Sequence, residues 1–75
     1  MPLNAEQTAY VGDQLREICS FYLSVLRTEL AKEEMNKARF TFHLIMLNAS
    51  SKAFSKLTGE EMVSESTFSC LFDLI

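Results

Sequence analysis

Few side chains in this sequence are suited to nucleophilic or metal chemistry: one histidine, His43, and two cysteines, Cys19 and Cys70. A hydrolase triad would place its serine on a Gly-x-Ser-x-Gly elbow, and the sequence contains no such motif. A zinc or di-iron centre would need paired Cys-x-x-Cys or Glu-x-x-His ligands, which are also missing. Two glycines in total cannot form a glycine-rich phosphate loop. We therefore expect no enzyme, no metal and no cofactor.

The cysteine content and the amino-terminal stretch indicate a reducing compartment. Two cysteines do not make the framework of four or six that staples small secreted domains. The opening residues, MPLNAEQTAY, have neither the basic nor the apolar region of a secretory signal. The longest purely apolar run, residues 44–47, falls far short of the roughly 20 residues that cross a bilayer. We expect a cytoplasmic protein with reduced thiols and no membrane association.

The composition is unusually apolar for a short chain. Of its 75 residues, 48% are hydrophobic, with six Phe, two Tyr and four Met. A domain of this size buries only about 60% of the surface that its unfolded chain exposes. Small domains that lack disulfides and metals commonly gain stability by oligomerisation. The composition therefore predicts self-association or a partner protein.

The sequence predicts an all-α fold, because the 46 positions between Gly12 and Gly59 contain neither glycine nor proline. Asn4 with Gln7 forms a capping box that begins the first helix. Gly59 suits the left-handed position that ends the second helix, and Ser64 is a good N-cap for a third. We predict one domain over residues 1–75, with helices at about residues 4–32, 36–57 and 64–75.

A turn between the first two helices is predicted from the loss of apolar periodicity. Glu29, Glu33, Asn36 and Lys37 interrupt the apolar pattern for two turns, so we place a short polar turn within residues 32–36. The chain then forms a helical hairpin with a shorter third helix. An unbroken helix over residues 4–57, about 80 Å long, is the alternative.

The stretch ARFTFHLIML, residues 38–47, gives the second helix two opposed apolar stripes on a helical wheel. One stripe consists of Met35, Ala38, Phe42, Ile45, Met46, Ala49, Ala53 and Leu57. The second consists of Phe40, Leu44, Leu47 and Phe54. One stripe can meet the first helix, which leaves the other for the third helix, a second copy or a foreign partner. We predict that the partner or self-interface consists of the second stripe with the third helix: Phe40, Leu44, Leu47, Phe54, Phe68 and Phe72.

Charge is divided unevenly along a chain whose net charge is −3. Residues 36–57 hold four bases and no acid, whereas residues 58–75 hold four acids and no base. We expect the basic second helix to be neutralised by the acidic segments on either side. An acidic chain gains no long-range attraction to nucleic acid, so we do not expect nucleic acid as a partner.

The last stretch, MVSESTFSCLFDLI (residues 62–75), resembles the turn and recognition helix of AraC-type helix-turn-helix regulators. The resemblance covers fourteen of the 75 residues and implies DNA binding with Ser66, Thr67 and Ser69 towards the groove. The sequence departs from the family at Cys70 and Asp73, where the family usually has basic residues. The second helix-turn-helix unit of that family is also missing.

These observations lead to three functional hypotheses, in this order. The first is a small, acidic, non-enzymatic module that binds another protein through apolar helix faces and inhibits, escorts or regulates it. The second is a DNA-binding regulator that uses residues 58–75. The third is an oligomer that sequesters a small ligand between subunits. We expect a dimeric helical bundle, formed through the second stripe of the second helix or through the wide apolar arc of the first, because a symmetric dimer is the commonest closed assembly.

Overall fold

The computed structural model describes residues 2–75, which fold into three α-helices without any strand in that range. Helix α1 is Ala5–Leu30, helix α2 is Lys37–Thr58 and helix α3 is Glu65–Phe72. The predicted all-α hairpin with a shorter third helix is therefore confirmed, and the unbroken long helix is wrong. The third helix ends three residues earlier than predicted.

Local sequence signals define the helix ends. The Asn4 side chain accepts a hydrogen bond from the Gln7 N–H at 2.8 Å, and the Gln7 side chain accepts one from the Asn4 N–H at 3.0 Å. Gly59 ends α2 with a φ of 77°, a backbone conformation that residues with a Cβ rarely adopt. The Ser64 hydroxyl caps α3 by accepting a hydrogen bond from the Thr67 N–H at 3.3 Å. The predicted capping residues therefore act as predicted.

A buried carboxylate holds the turn between α1 and α2. Glu29, which is 2% exposed, accepts a hydrogen bond from the Asn36 backbone N–H at 2.7 Å and one from Lys32 Nζ at 2.9 Å. Asn36 in turn caps α2 by accepting a hydrogen bond from the Arg39 N–H at 3.0 Å. One side chain from the last turn of α1 thus fixes the residue at which α2 begins.

The core lies between α1 and α2. It contains Cys19 and Leu26 from α1 with three large side chains from α2, and all five are essentially inaccessible to solvent: Cys19, Leu26, Phe40, Leu44 and Leu47. Phe54 extends the buried row along α2, with the Arg16 guanidinium 5.4 Å from the centre of its ring. The stripe that we assigned to a partner is therefore the stripe that packs against α1.

Helix α3 folds back against α2 and contributes no fully buried residue. Phe68 and Leu71 pack against the core while remaining partly exposed. The helix approaches α2 on the side of Asn48 and Ser55, where the two helices enclose a shallow groove. Helix α3 therefore covers one side of the hairpin and leaves the opposite side open.

The predicted neutralisation of α2 by its acidic neighbours does not take the form of ion pairs at contact distance. Within residues 2–75 the ion pairs are Arg16 with Glu60 at 3.9 Å and Lys32 with Glu29 at 2.9 Å. Neither pair includes a base from α2. Lys52 and Lys56 of α2 instead line the same groove as Glu61 and Glu65.

The molecule is elongated, with extents of 46 × 19 × 16 Å. Its radius of gyration is 13.7 Å, whereas a compact domain of this length would have about 11 Å. Its accessible surface is 5389 Å², compared with about 4,700 Å² for a compact protein of the same mass. The hairpin therefore exposes more surface than a chain of this size needs to.

Candidate interaction surface

An apolar surface lies on the side of the hairpin opposite to α3, and we call it the aromatic face. Its centre is a row of rings that crosses from α1 to α2. Phe21 packs edge-on against Tyr22 with ring centroids 5.3 Å apart, and Tyr22 lies 5.8 Å from His43. His43 in turn packs edge-on against Phe42 at 5.3 Å. We define the aromatic face by five residues: Ile18, Phe21, Tyr22, Phe42 and His43.

The largest side chains of the aromatic face are open to solvent. Phe21 is 61% exposed and Phe42 57%. Helical spacing places Ile18 beside Tyr22 and Phe21, so the exposed apolar surface is continuous on α1. Large contiguous apolar patches are rare on monomers and mark interaction sites. Aromatic side chains are also enriched at the centres of protein interfaces.

His43 has the surroundings of a packing residue and lacks those of a catalytic base. Its Nδ1 atom is buried without a hydrogen-bond partner among the described residues. A catalytic histidine is normally oriented by a carboxylate or carbonyl at one ring nitrogen and contacts a nucleophile with the other. The neighbours of this ring are instead the aromatic rings of Tyr22 and Phe42.

The two cysteines lie in different environments. Cys19 is buried in the core, and this burial raises the pKa of its thiol, which disfavours the reactive thiolate. Cys70 is exposed on α3, and both thiols are free. Within residues 2–75, no three His, Cys, Asp or Glu side chains lie close enough together to hold a metal ion.

The six residues predicted as an interface separate into two groups. Phe40, Leu44, Leu47 and Phe54 are core residues, each 1% exposed or less. A partner could reach them only after α1 and α2 had separated, so the prediction is wrong for these four. On α3, Phe68 is partly buried and Phe72 is 38% exposed. These two lie on the other side of the hairpin from the aromatic face.

On α2, the exposed residue Phe42 that the prediction missed belongs to the stripe that we had left for contact with the first helix. One sequence signal separates the two stripes of α2. The buried stripe consists of large side chains, Phe, Leu, Leu and Phe, whereas the exposed stripe contains three alanines, Ala38, Ala49 and Ala53. Because every position of the buried stripe has a large side chain, that stripe buries more apolar surface per residue, which favours it as the core.

Two grooves lie outside the aromatic face. The groove between α2 and α3 encloses about 590 Å³ and is lined by apolar residues such as Phe68, together with Lys52, Lys56, Glu61 and Glu65. A second, of about 540 Å³, lies between the amino-terminal part of α1 and the end of α2. Both grooves are open and have lining charges of both signs, so neither selects a ligand of one charge.

No family model, characterised protein or solved structure matches this chain. The helices at residues 2–75 are all too short or too polar to cross a membrane.

Proposed function

We propose that this chain is a non-enzymatic protein–protein interaction module whose binding surface is the aromatic face. Its role would be that of an inhibitor, co-chaperone or adaptor, which alters another chain by covering part of its surface. The observation that carries the proposal is the exposure of Phe21 and Phe42 at the two ends of a row of packed rings that crosses both helices.

The chemistry of the aromatic face supports a protein as its ligand. The surface is built from side chains of two packed helices, and its rings offer large contact areas at a low cost in conformational entropy. Small-molecule sites, in contrast, are concave and enclose most of their ligand. An apolar helix or helix pair from another protein chain fits such a surface.

Two further features support a binding role in a reducing compartment. The buried Nδ1 atom on the aromatic face belongs to His43, whose neighbours are aromatic rings. Among the described residues, this surface therefore has groups suited to packing and no assembled catalytic group. Both cysteines are free, and one of them is exposed. Exposed free thiols are typical of proteins that stay in the cytoplasm.

Residues 58–75 offer less support for the DNA-binding alternative. Ser66, Thr67 and Ser69 are exposed, but Ser64 and Thr67 are engaged in the cap of α3. The segment has four acids and no base to meet a phosphate backbone.

The test uses three tagged baits in the organism that encodes the chain: wild type, Phe42→Asp and Phe72→Asp. A second, differently tagged wild-type copy is co-expressed so that self-association counts as partner binding. Phe72→Asp is the matched control, because it places the same charge on an exposed phenylalanine outside the aromatic face.

We expect wild type and Phe72→Asp to retain the same protein and Phe42→Asp to lose it. The retained protein is identified by mass spectrometry and is then purified and tested again for binding. Circular dichroism should show equal helix content in all three baits. The proposed function would be contradicted if Phe42→Asp retained the same protein. It would also be contradicted if wild type bound no foreign protein and no second copy.

A further inference from the structure

We propose that residues 61–75, which we call the strap, undock from the hairpin as a unit while α1 and α2 stay packed. The strap contains α3 and lies on the other side of the hairpin from the aromatic face, so this inference does not depend on the proposed function. Undocking uncovers a second apolar surface, which consists of the inner side of the strap and the side of α2 that the strap covers. The chain thus alternates between a closed form and an open form.

The strap is held to the hairpin without polar contacts. Among residues 2–75, every hydrogen bond of the strap has both of its atoms within the strap, such as the one from the Thr67 N–H to the Ser64 hydroxyl. Both ion pairs of this range also lie outside the strap. Undocking therefore breaks apolar contacts alone.

The apolar contacts of the strap are incomplete. Helix α3 contributes no fully buried residue, whereas α1 and α2 share a row of side chains that solvent does not reach. Segments with few buried contacts open at a lower free energy than the core of the same protein. We therefore expect the strap to open far more often than the hairpin. Four side chains of the strap pack against the core while remaining partly exposed: Met62, Val63, Phe68 and Leu71.

The hinge of the strap lies just after the end of α2. Glu60 is fixed to the hairpin, because its carbonyl accepts a hydrogen bond from the Ser55 hydroxyl at 2.9 Å and its carboxylate lies 3.9 Å from the Arg16 guanidinium. Residues 61–63 follow this anchor and belong to neither helix. A few residues between two elements can absorb the backbone rotation of a hinge. Rotation at residues 61–63 therefore moves α3 without disturbing α2.

Charges on the two walls of the groove between α2 and α3 favour the closed form. Lys52 and Lys56 lie on the α2 wall, whereas Glu61 and Glu65 belong to the strap. Among residues 2–75 none of these four forms an ion pair, so their attraction acts across the groove. Attraction between exposed charges is weak, and salt screens it. These charges therefore draw the strap back to α2 without locking it there.

The first experiment follows amide hydrogen exchange by NMR, with rates corrected for the intrinsic exchange of each residue. In the wild type, amides in residues 68–72 should exchange at least about tenfold faster than amides in residues 43–47. Leu71→Ala removes a contact on the inner side of the strap and should accelerate exchange in residues 68–72 a further tenfold or so. Leu74→Ala is the matched control at an exposed position and should leave those rates within about twofold of wild type.

A second variant, Phe54→Leu, distinguishes undocking of the strap from unfolding of the whole chain. Phe54 is buried on α2 and lies outside the cluster against which the strap packs. The substitution should accelerate exchange in residues 43–47 at least about fivefold, because it weakens the hairpin. It should leave residues 68–72 within about twofold of wild type, because the closed and open forms share the same Phe54 contacts.

Three results would overturn the inference. Equal protection of the two segments in the wild type would mean that the strap opens only with the hairpin. Equal acceleration of both segments by Phe54→Leu would mean the same. Unchanged exchange of residues 68–72 in Leu71→Ala would show that packing against α2 does not hold the strap.

The part played by charge is tested with Lys56→Glu in the same measurement. At low salt this variant should accelerate exchange in residues 68–72 about twofold, and Glu61→Lys in the same chain should restore the wild-type rate. Both effects should fade at high salt. Slower exchange in Lys56→Glu would contradict an attraction across the groove.

Discussion

At the scale of single residues, Leu44 and Ile45 are sequence neighbours with opposite environments. Leu44 is fully buried between α1 and α2, whereas Ile45 is about half exposed on the outer side of α2. Their side chains are isomeric, so any difference in their contribution to the free energy of unfolding comes from location alone. This pair distinguishes the core of the hairpin from its exposed surface.

We expect Leu44→Ala to reduce the free energy of unfolding by about 2–5 kcal/mol, because it removes buried contacts and leaves a cavity. Ile45→Ala should change it by about 0.5 kcal/mol or less. Both substitutions are made in the Phe42→Asp background, so that association does not contribute, and urea unfolding is followed by circular dichroism. Equal losses for the two variants would show that the assignment of core and surface is wrong.

Residue-level prediction from the sequence succeeded where the interaction is local. Asn4, Gly59 and Ser64 act through atoms within a few residues of themselves, so the sequence contains the information that places them. The choice between two apolar stripes of α2 depends on how α1 is rotated and where α3 lies. Periodicity alone cannot supply either quantity, and the interface was therefore assigned to Phe40, Leu44, Leu47 and Phe54 in error.

At the scale of elements, the turn between α1 and α2 depends on Glu29. Hydrogen bonds from Lys32 and then from the Asn36 backbone lower the pKa of its carboxyl group. A carboxyl group with a lowered pKa in the folded chain stabilises the fold when it is ionised. That contribution is complete above the ordinary pKa of 4.5 and is lost as the pH falls through the lowered value.

We expect Glu29→Gln to unfold at a lower urea concentration than wild type at pH 7, because the amide replaces a charged acceptor for the Asn36 N–H and for Lys32. The difference should shrink as the pH falls below 4.5, because the carboxyl group is protonated first in the unfolded chain and then, at the lowered pKa, in the folded chain. Glu33→Gln is the control, since Glu33 is exposed in the same turn. A gap between Glu29→Gln and wild type that stays constant from pH 7 to pH 3 would contradict this role.

The sequence located this turn but did not reveal how it is held. Loss of apolar periodicity around residues 32–36 marked the break, and the helices indeed end and begin at Leu30 and Lys37. In the sequence, Glu29 is one more polar residue of that interruption. Its burial depends on the contact with Asn36 at the end of the turn. A contact between residues seven apart, across a turn, leaves no periodic trace in the sequence.

At the scale of the whole molecule, the apolar composition and the elongated shape both indicate a surplus of exposed apolar surface. The composition predicted a surplus of apolar surface, and the hairpin has an elongated form with a continuous aromatic face. What the sequence could not supply was the location of the surplus, which depends on which side α3 covers. We predict that this surplus of apolar surface is covered by self-association through the aromatic face.

Small-angle X-ray scattering over a range of concentrations, on wild type and Phe42→Asp, tests that claim most directly. We predict that wild type scatters as a particle of twice the 8.5 kDa chain mass, and that Phe42→Asp scatters as the single chain with a radius of gyration near 13.7 Å. If wild type scattered as a single chain at every concentration, self-association through the aromatic face would be contradicted.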